Sequence, residues 1–463
     1  MKTKIVATVG PSLGNAETLG KAIRAGARIF RLNFSHGTHE SHRAAVEAIR
    51  EAEEREGIPV AVLQDLAGPK IRVGKLPAPL EVKPGDTVVI KRAGEEGPGE
   101  LPVTYPYIVE DLEPGERIFI EDGKIALEVI SRGRDHVKAR VISGGVIRPE
   151  KGVNLPDSSL RIAPFTEKDR RDLEFGLTLD IDLVALSFVR NGDDARDLKA
   201  VAGEIPVIAK VERREAVKNL SSVVEAFDGI MVARGDLGVE LPLEEVPILQ
   251  KRMIAMANSR RKTVITATQM LSTMIKNPYP TRAEVSDVAN AVFDGSDALM
   301  LSGETAIGDY PIEAISTMAR VIEEVEASSE FWAVRKLLDR GPSDPTEALA
   351  ESAVITAEKI GASAIIVFTA SGSTALKVSK FRPRVPVFAI TPREEIRRRM
   401  AITWGVESFP LPFLQNTDLM MERGVNLLRS RGKLKPGQRV VITAGKTPLK
   451  GATDMVKVFR VGG

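Results

Sequence analysis

The sequence predicts an α/β protein: a (β/α)8 TIM barrel with an inserted small β-barrel lid, followed by a C-terminal open α/β sheet domain. Three observations predict it. Eight short apolar runs alternate with amphipathic runs of helical period in a regular beat. The beat breaks once, after the third apolar run, for a stretch rich in Gly, Pro and short alternating segments. It then resumes, and a second, shorter α/β series closes the chain.

The expected barrel strands are residues 4–9, 28–34, 59–66, 182–188, 206–212, 229–234, 262–268 and 297–302. Helices are expected over 16–25, 39–56, 167–176, 193–202, 214–227, 243–261, 283–293 and 312–325. The third strand lacks its helix. In its place, the alternating segments around Leu80, Thr87, Arg117 and His136 read as an all-β insert at the top of the barrel, able to close as a lid. A linker is expected from Ser328 to Asp344. Beyond it, alternating elements from about Thr346 to Val461 suit a doubly wound sheet. The expected division is residues 1–72 and 151–330 for the barrel, 73–150 for the lid and 331–463 for a C-terminal regulatory domain.

Composition narrows the classes. A chain of 463 residues suggests two or three domains. With 43% hydrophobic and 28% charged residues and a formal net charge of +2, nothing calls for nucleic acid or a membrane. Cysteine is absent, which excludes disulfides, thiolate metal sites and cysteine nucleophiles. The opening run from Met1 goes straight into a strand pattern with no room for a targeting peptide, so a cytoplasmic location is expected. Sparse glutamine and mixed-sign runs such as residues 393–399 fit either a thermophilic source or a genomic bias towards Arg and Glu.

In a barrel of this kind the working residues lie at the C-terminal strand ends. The fifth strand is apolar until Lys210 and Glu212, and the sixth until Arg234, Gly235 and Asp236. Burying those charges without partners is costly, so they require a shared pocket. Two carboxylates from adjacent strands can hold a hard divalent cation, and a lysine between them faces an anion that the cation also touches. That equipment suits phosphoryl transfer. A structural Lys210–Glu212 ion pair is the plain alternative, and Asp236, an unpaired third charge, weighs against it. Asp65 alone reads as a turn cap, but Gly68, Pro69 and Arg72 beside it favour a functional role. His36 reads equally well as a solvated loop histidine, and Glu304 as a helix cap. Trp332 and Trp404 are expected to pack domain or subunit contacts.

Seven segments then stand in register: Lys4-Ile-Val-Ala-Thr-Val-Gly-Pro-Ser12, Arg31-Leu-Asn-Phe-Ser-His-Gly37, Asp65-Leu-Ala-Gly-Pro-Lys-Ile-Arg72, Lys151-Gly-Val-Asn-Leu-Pro156, Ala209-Lys-Val-Glu212, Arg234-Gly-Asp-Leu-Gly238 and Ala267-Thr-Gln-Met-Leu271. In content and order they resemble pyruvate kinase, over almost the whole chain. The resemblance implies transfer of the phosphoryl group of phosphoenolpyruvate to ADP, giving pyruvate and ATP in glycolysis. It implies that Lys210 and Arg31 face the phosphoryl group, and that Glu212 and Asp236 hold magnesium, with manganese as a substitute. Gly235 and Asp236 would receive the substrate carboxylate on helix N-terminal amides, and Thr268 would relay a proton to the enolate. Asn33, His36, Arg72 and Lys151 would meet the nucleotide phosphates.

The resemblance also implies a monovalent-cation region at Asn33, Ser35, Asp65 and the Leu66 carbonyl. Lys70 stands where potassium-dependent members carry glutamate. Its ammonium can replace the ion's charge, so potassium is not expected to be required. Thr369, Ser371, Gly372, Ser373 and Thr374, with Lys446, match the family's effector loop. Because the loop at residues 445–451 lacks a tryptophan and an arginine, the expected effector is a phosphorylated metabolite other than fructose 1,6-bisphosphate. A homotetramer is expected by resemblance. The rival readings are a magnesium-dependent pyruvate-enolate lyase on the same barrel, which would not need Arg72, Lys151 or the lid, and a non-catalytic metabolite-binding regulator.

Overall fold

The computed structural model describes residues 1–335, 344–445 and 453–462. Eight strands close into a barrel in chain order: β1 (Lys4–Thr8), β2 (Ala27–Asn33), β3 (Ala61–Asp65), β4 (Leu183–Leu186), β5 (Val207–Val211), β6 (Gly229–Ala233), β7 (Thr263–Ala267) and β8 (Ala298–Leu301). Every neighbouring pair is parallel, including β8 with β1. Period-two alternation sorts the side chains. Val6, Ile29, Leu63, Ile208, Met231 and Ile265 fill the interior, while Ile5, Phe30, Val62, Val184 and Val264 pack outward.

Local chemistry sets the helix starts. Thr38, Thr166 and Thr281 each form a reciprocal cap with the residue three positions on, before His39–Glu56, Glu167–Leu177 and Arg282–Asp294. These caps satisfy amides that a helix start otherwise leaves open.

The chain leaves the barrel after β3 and forms a β insert around its own apolar core, which includes Val88, Ile90, Ile118, Leu127 and Val141. Its ladders fall into a six-stranded sheet and a two-stranded ribbon, Gly145–Ile147 with Leu80–Val82. In place of the small closed barrel expected there, the described strands of the insert form these two separate ladders.

The C-terminal sheet has the order Val406–Pro410, Val387–Thr391, Ala364–Phe368, Arg439–Gly445 and Thr453–Arg460, with only the last strand antiparallel. Helices Pro345–Lys359 and Ser373–Lys380 cover one face and Thr417–Ser430 the other. This part seals the barrel floor, where Ala401 and Ile402 join the interior cluster. Around them Arg382 Nη2 reaches Asp297 Oδ1 at 2.8 Å, the Lys380 ammonium pairs with Asp297 Oδ2, and the guanidinium of Arg382 lies 4.7 Å over the Trp404 ring. Trp332 meets Trp404 edge-on at 6.4 Å, so both tryptophans pack the junction between barrel and C-terminal part.

Four expected elements differ. The helix expected over 193–202 opens as a 3-10 turn, Gly192–Asp194, and becomes α-helical at Ala195. The segment from Ser328, expected to be a linker, carries a helix, Ser329–Arg335, because Phe331 is buried against Phe293 and Trp332 anchors on Trp404. The helix expected over 214–227 divides at Asn219 into Arg214–Lys218 and Leu220–Ala226. The helix expected from Leu243 opens as a 3-10 turn, Leu243–Glu245, and becomes α-helical at Val246, where Pro247 suits the first turn. Among the described residues no helix is long and apolar enough to cross a membrane.

Candidate active site

Alternation along β5 places Ile208 and Lys210 on the inner face, with Glu212 continuing it just past the strand end. There the barrel mouth builds a buried ionic web. Arg31, on β2, holds Asp65 Oδ2 through Nε at 2.6 Å and donates to Thr8 Oγ1 at 3.2 Å. Lys210 Nζ lies 3.5 Å from Asp65 Oδ1 and 3.2 Å from Glu212 Oε2, and donates to Ser187 Oγ at 2.7 Å. Ser187 in turn donates to the Leu66 carbonyl at 2.7 Å. Asp65 is 1% exposed and Glu212 3%, so the web is shielded from bulk water.

Electrostatics follow from that burial. Desolvation by itself would discharge Lys210, but Asp65, Glu212 and Asp236 outweigh it and hold the ammonium above its usual range. Burial pushes the Glu212 carboxyl up to about 7; Lys210 opposes the shift and Asp236 adds to it. Asp65 also resists ionisation through burial, but Lys210 and Arg31 bring it below the ordinary range. Two carboxylates, one made hard to ionise chiefly by its burial and further by the other, are the donor set that a hard divalent cation complements. Among the described residues no group of three or more His, Cys, Asp or Glu side chains is arranged to hold a metal. Glu212 and Asp236 would therefore supply only part of the ion's shell, leaving the rest to substrate and water.

A second web lies across the mouth. Asp236 is exposed in the first turn of the short helix Arg234–Glu240. The Gly235 amide donates to Thr268 Oγ1 at 2.7 Å. Thr268 and Gln269, just past β7, both have positive φ, 68° and 54°.

Other expected residues surround these webs. Asn33 Oδ1 accepts from the Ser35 amide at 3.1 Å, shaping the loop that ends at the exposed His36. Desolvation, then Lys70, Arg72 and Arg31, lower the His36 pKa. Lys70 is exposed on the same rim, its pKa lowered by partial desolvation and by Arg72 and Lys210. Arg72 and Lys151 lie at the lid hinge: Arg72 Nη1 donates to the Glu150 carbonyl at 2.7 Å, and Lys151 Nζ is 3.5 Å from Glu121 in the lid.

The effector-loop residues divide. Ser371, Gly372 and Ser373 line a cleft of about 590 Å³ under the barrel, with Arg393 and Arg399. Thr369 Oγ1 accepts the Gly372 amide at 3.0 Å. Thr374 turns away, bonding to Thr453 at 2.6 Å. Lys446 lies outside the described residues.

Four contributions escape a reading of the sequence. Ser187 is the acceptor for Lys210. The Phe188 amide, on a left-handed residue with φ 59°, donates to Glu212 Oε1 at 2.7 Å. Gly68, with φ 66°, must lack a side chain because a Cβ there would lie 2.7 Å from the Phe188 ring. The side chain of Arg234 grips the Thr268 loop. Glu304 takes the amides of Leu271 and Ser302 at 3.1 and 2.8 Å, as a cap does. The signal for Ser187 and Phe188 was present, because the fourth strand ends there and obeys the same strand-end rule as the others.

Comparison with known proteins agrees with this geometry. Residues 1–315 match the family described as "Pyruvate kinase, barrel domain" and residues 347–459 that described as "Pyruvate kinase, alpha/beta domain". Pyruvate kinase 2 of Synechocystis sp. is 44% identical over 99% of this chain and 79% of its own length. Pyruvate kinase of Mycobacterium intracellulare is 44% identical over 99% of this chain and 98% of its own. The crystal structure of a pyruvate kinase from Cryptosporidium parvum superposes with a TM-score of 0.94 at 36% identity, covering 99% of this chain and 96% of that one. With a closed barrel, its ionic mouth and a match along nearly the whole length, the chain belongs to the pyruvate kinase family of phosphotransferases.

Proposed function

We propose that the barrel mouth moves the phosphoryl group of phosphoenolpyruvate to ADP through the Arg31–Asp65–Lys210–Glu212 web, giving pyruvate and ATP. The observation that carries this is the Lys210 ammonium, kept cationic by Asp65, Glu212 and Asp236 and fixed by Ser187. A charge so held needs no reorganisation as the phosphoryl group passes. The Arg31 Nη groups grip that group as a planar fork, with Nε anchored on Asp65. Glu212 and Asp236 would hold the magnesium that the family requires, which when bound neutralises charge on the substrate carboxylate and enol oxygen.

The bond between phosphorus and the enol oxygen breaks as a β-phosphate oxygen of ADP bonds to phosphorus. The electron pair left on the enol oxygen makes an enolate, and a proton delivered to its methylene carbon through Thr268 completes pyruvate. Gly235 and the amides after it would orient the carboxylate, while Asn33, His36, Arg72 and Lys151 meet the nucleotide phosphates as the lid closes. The family match sets aside the enolate lyase and the non-catalytic regulator. The test is pyruvate formation with magnesium, comparing the native chain with Lys210→Met.

We further infer that the site works without potassium. Three oxygens expected to face that ion are engaged internally: Asn33 Oδ1 by Ser35, Asp65 Oδ2 by Arg31, and the Leu66 carbonyl by Ser187. The ammonium of Lys70 makes no ion pair among the described residues and supplies the missing charge. The cleft at Ser371, Gly372 and Ser373, rimmed by Arg393 and Arg399, is assigned to a phosphorylated effector other than fructose 1,6-bisphosphate. A cytoplasmic homotetramer completes the proposal, supported by the exposed apolar residues Leu243, Ile248 and Tyr279. Light scattering of the purified protein checks the tetramer, and a monomer would overturn it.

A further inference from the structure

We propose that Arg234 is a positioning residue for enolate protonation: its guanidinium holds the left-handed Thr268–Gln269 backbone, and so keeps the Thr268 hydroxyl against the Gly235 amide. The proposal rests on the reading of Thr268 as the proton relay. A β-branched residue at φ 68° followed by a second non-glycine at 54° is a conformation the chain does not hold unaided. Such strain persists only where the surroundings over-determine it.

Arg234 provides that determination. Its Nη2 donates to the carbonyl of Thr268 at 2.7 Å and to that of Gln269 at 3.2 Å, the two strained residues themselves. Its Nη1 is pinned from outside by Asp287 Oδ1 at 2.7 Å and Gln250 Oε1 at 3.3 Å. The Arg234 side chain is 10% exposed, which shelters its bond to the Thr268 carbonyl, while Gln269 and Asp287 stand nearer the surface. The next residue, Gly235, closes the circuit by donating its amide to Thr268 Oγ1 at 2.7 Å, while that hydroxyl donates to the Ala267 carbonyl at 2.6 Å. One arginine thus ties the helix start meant for the substrate carboxylate to the residue meant for the proton. A lysine can donate from one point but cannot span two carbonyls and a carboxylate in one plane.

The experiment follows deuterium entry into the methyl group of pyruvate in D2O, with ATP and magnesium, by proton NMR. In that reaction a C–H bond of the methyl carbon breaks, its proton passes to solvent, and a C–D bond forms on the returning enolate. Thr268→Ala is expected to slow exchange at least a hundredfold and Arg234→Lys at least tenfold, the latter with KM for phosphoenolpyruvate changing less than kcat. Once Thr268 is alanine, adding Arg234→Lys is expected to change exchange by less than twofold. Asp287→Asn, farther from the chemistry, is expected to slow exchange three- to tenfold and likewise to lose its effect beside Thr268→Ala.

Losses that multiply in the double variants would overturn the positioning role while leaving Thr268 in place. Unchanged exchange in Thr268→Ala would instead overturn the relay reading and this proposal with it. Should Arg234→Lys fold poorly, shown by its melting profile, Asp287→Asn alone decides between these outcomes.

Discussion

At the mouth of the barrel, Arg31, Asp65, Lys210 and Glu212 share one buried web; at its floor, Asp297, Lys380 and Arg382 share another. Both bury charge in pairs, yet their backbones differ. Around the mouth, Phe188, Thr268 and Gln269 adopt left-handed φ outside any helix ending. At the floor, the left-handed residues Arg261 and Arg382 each stand just past a helix C-cap, Arg260 and Phe381, where a chain ordinarily turns that way. Asp297 is also built into the barrel ladder, its Oδ2 accepting the Val264 amide at 2.8 Å and its own amide donating to the Val264 carbonyl at 2.9 Å. Charge tied to strand and helix ends serves stability, whereas charge beside strained loops is poised for a ligand. The two webs should therefore fail in opposite ways.

The largest effect is expected at the floor. Asp297→Asn leaves the buried Lys380 and Arg382 without their shared anion, which costs about 3–5 kcal/mol of stability. Denaturant unfolding measures the loss, and kcat of the folded fraction should stay within about twofold of native. A comparable collapse of kcat would break the contrast between the two ends.

At the mouth, Ser187→Ala removes the neutral acceptor that aims Lys210. A hydrogen bond to a charged group contributes about 1.5–3 kcal/mol, so kcat should fall roughly 10–100-fold. Unfolding free energy should fall by at most about 3 kcal/mol, less than the loss expected at Asp297. Loss of stability without loss of turnover would make Ser187 a structural residue.

A smaller effect is expected in the cleft below the barrel. Ser373→Asp places a carboxylate where a phosphate would sit and should abolish activation by phosphate esters, leaving basal turnover unchanged. Activation that survives the change would move the effector elsewhere. The smallest effect is that of potassium. In sodium-free buffer its addition should change the native rate by less than about twofold, whereas Lys70→Glu should make the rate depend on it. A large potassium stimulation of the native chain would remove Lys70 from the role assigned to it.

The same contrast explains how much could be read beforehand. The barrel was legible because most of its strands are short, largely apolar runs recurring between helical runs, and Lys210 and Glu212 were legible because alternation forces them to one face. What lay hidden depends on partners distant in the chain. Ser187 matters because Lys210 lies 23 residues on, and Arg234 because the loop it grips lies 34 residues on. Phe188 matters through its backbone amide, for which its side chain gives no sign. The helix at Ser329–Arg335 escaped because its anchor, Trp404, belongs to the other half of the molecule. Lys151 is expected at the hinge returning from the lid, and it lies there, 3.5 Å from Glu121; how near it comes to a nucleotide depends on how the insert closes.

The most direct measurement is pyruvate formation from phosphoenolpyruvate and ADP with saturating magnesium, native chain against Lys210→Met. A charge preorganised as Lys210 is should contribute about a hundred- to a thousandfold. ADP-dependent turnover is expected in the native chain, and its loss, by that factor or more, in a variant that remains folded. Turnover that survives in Lys210→Met, or its absence from a folded native chain, would contradict phosphoryl transfer through this web.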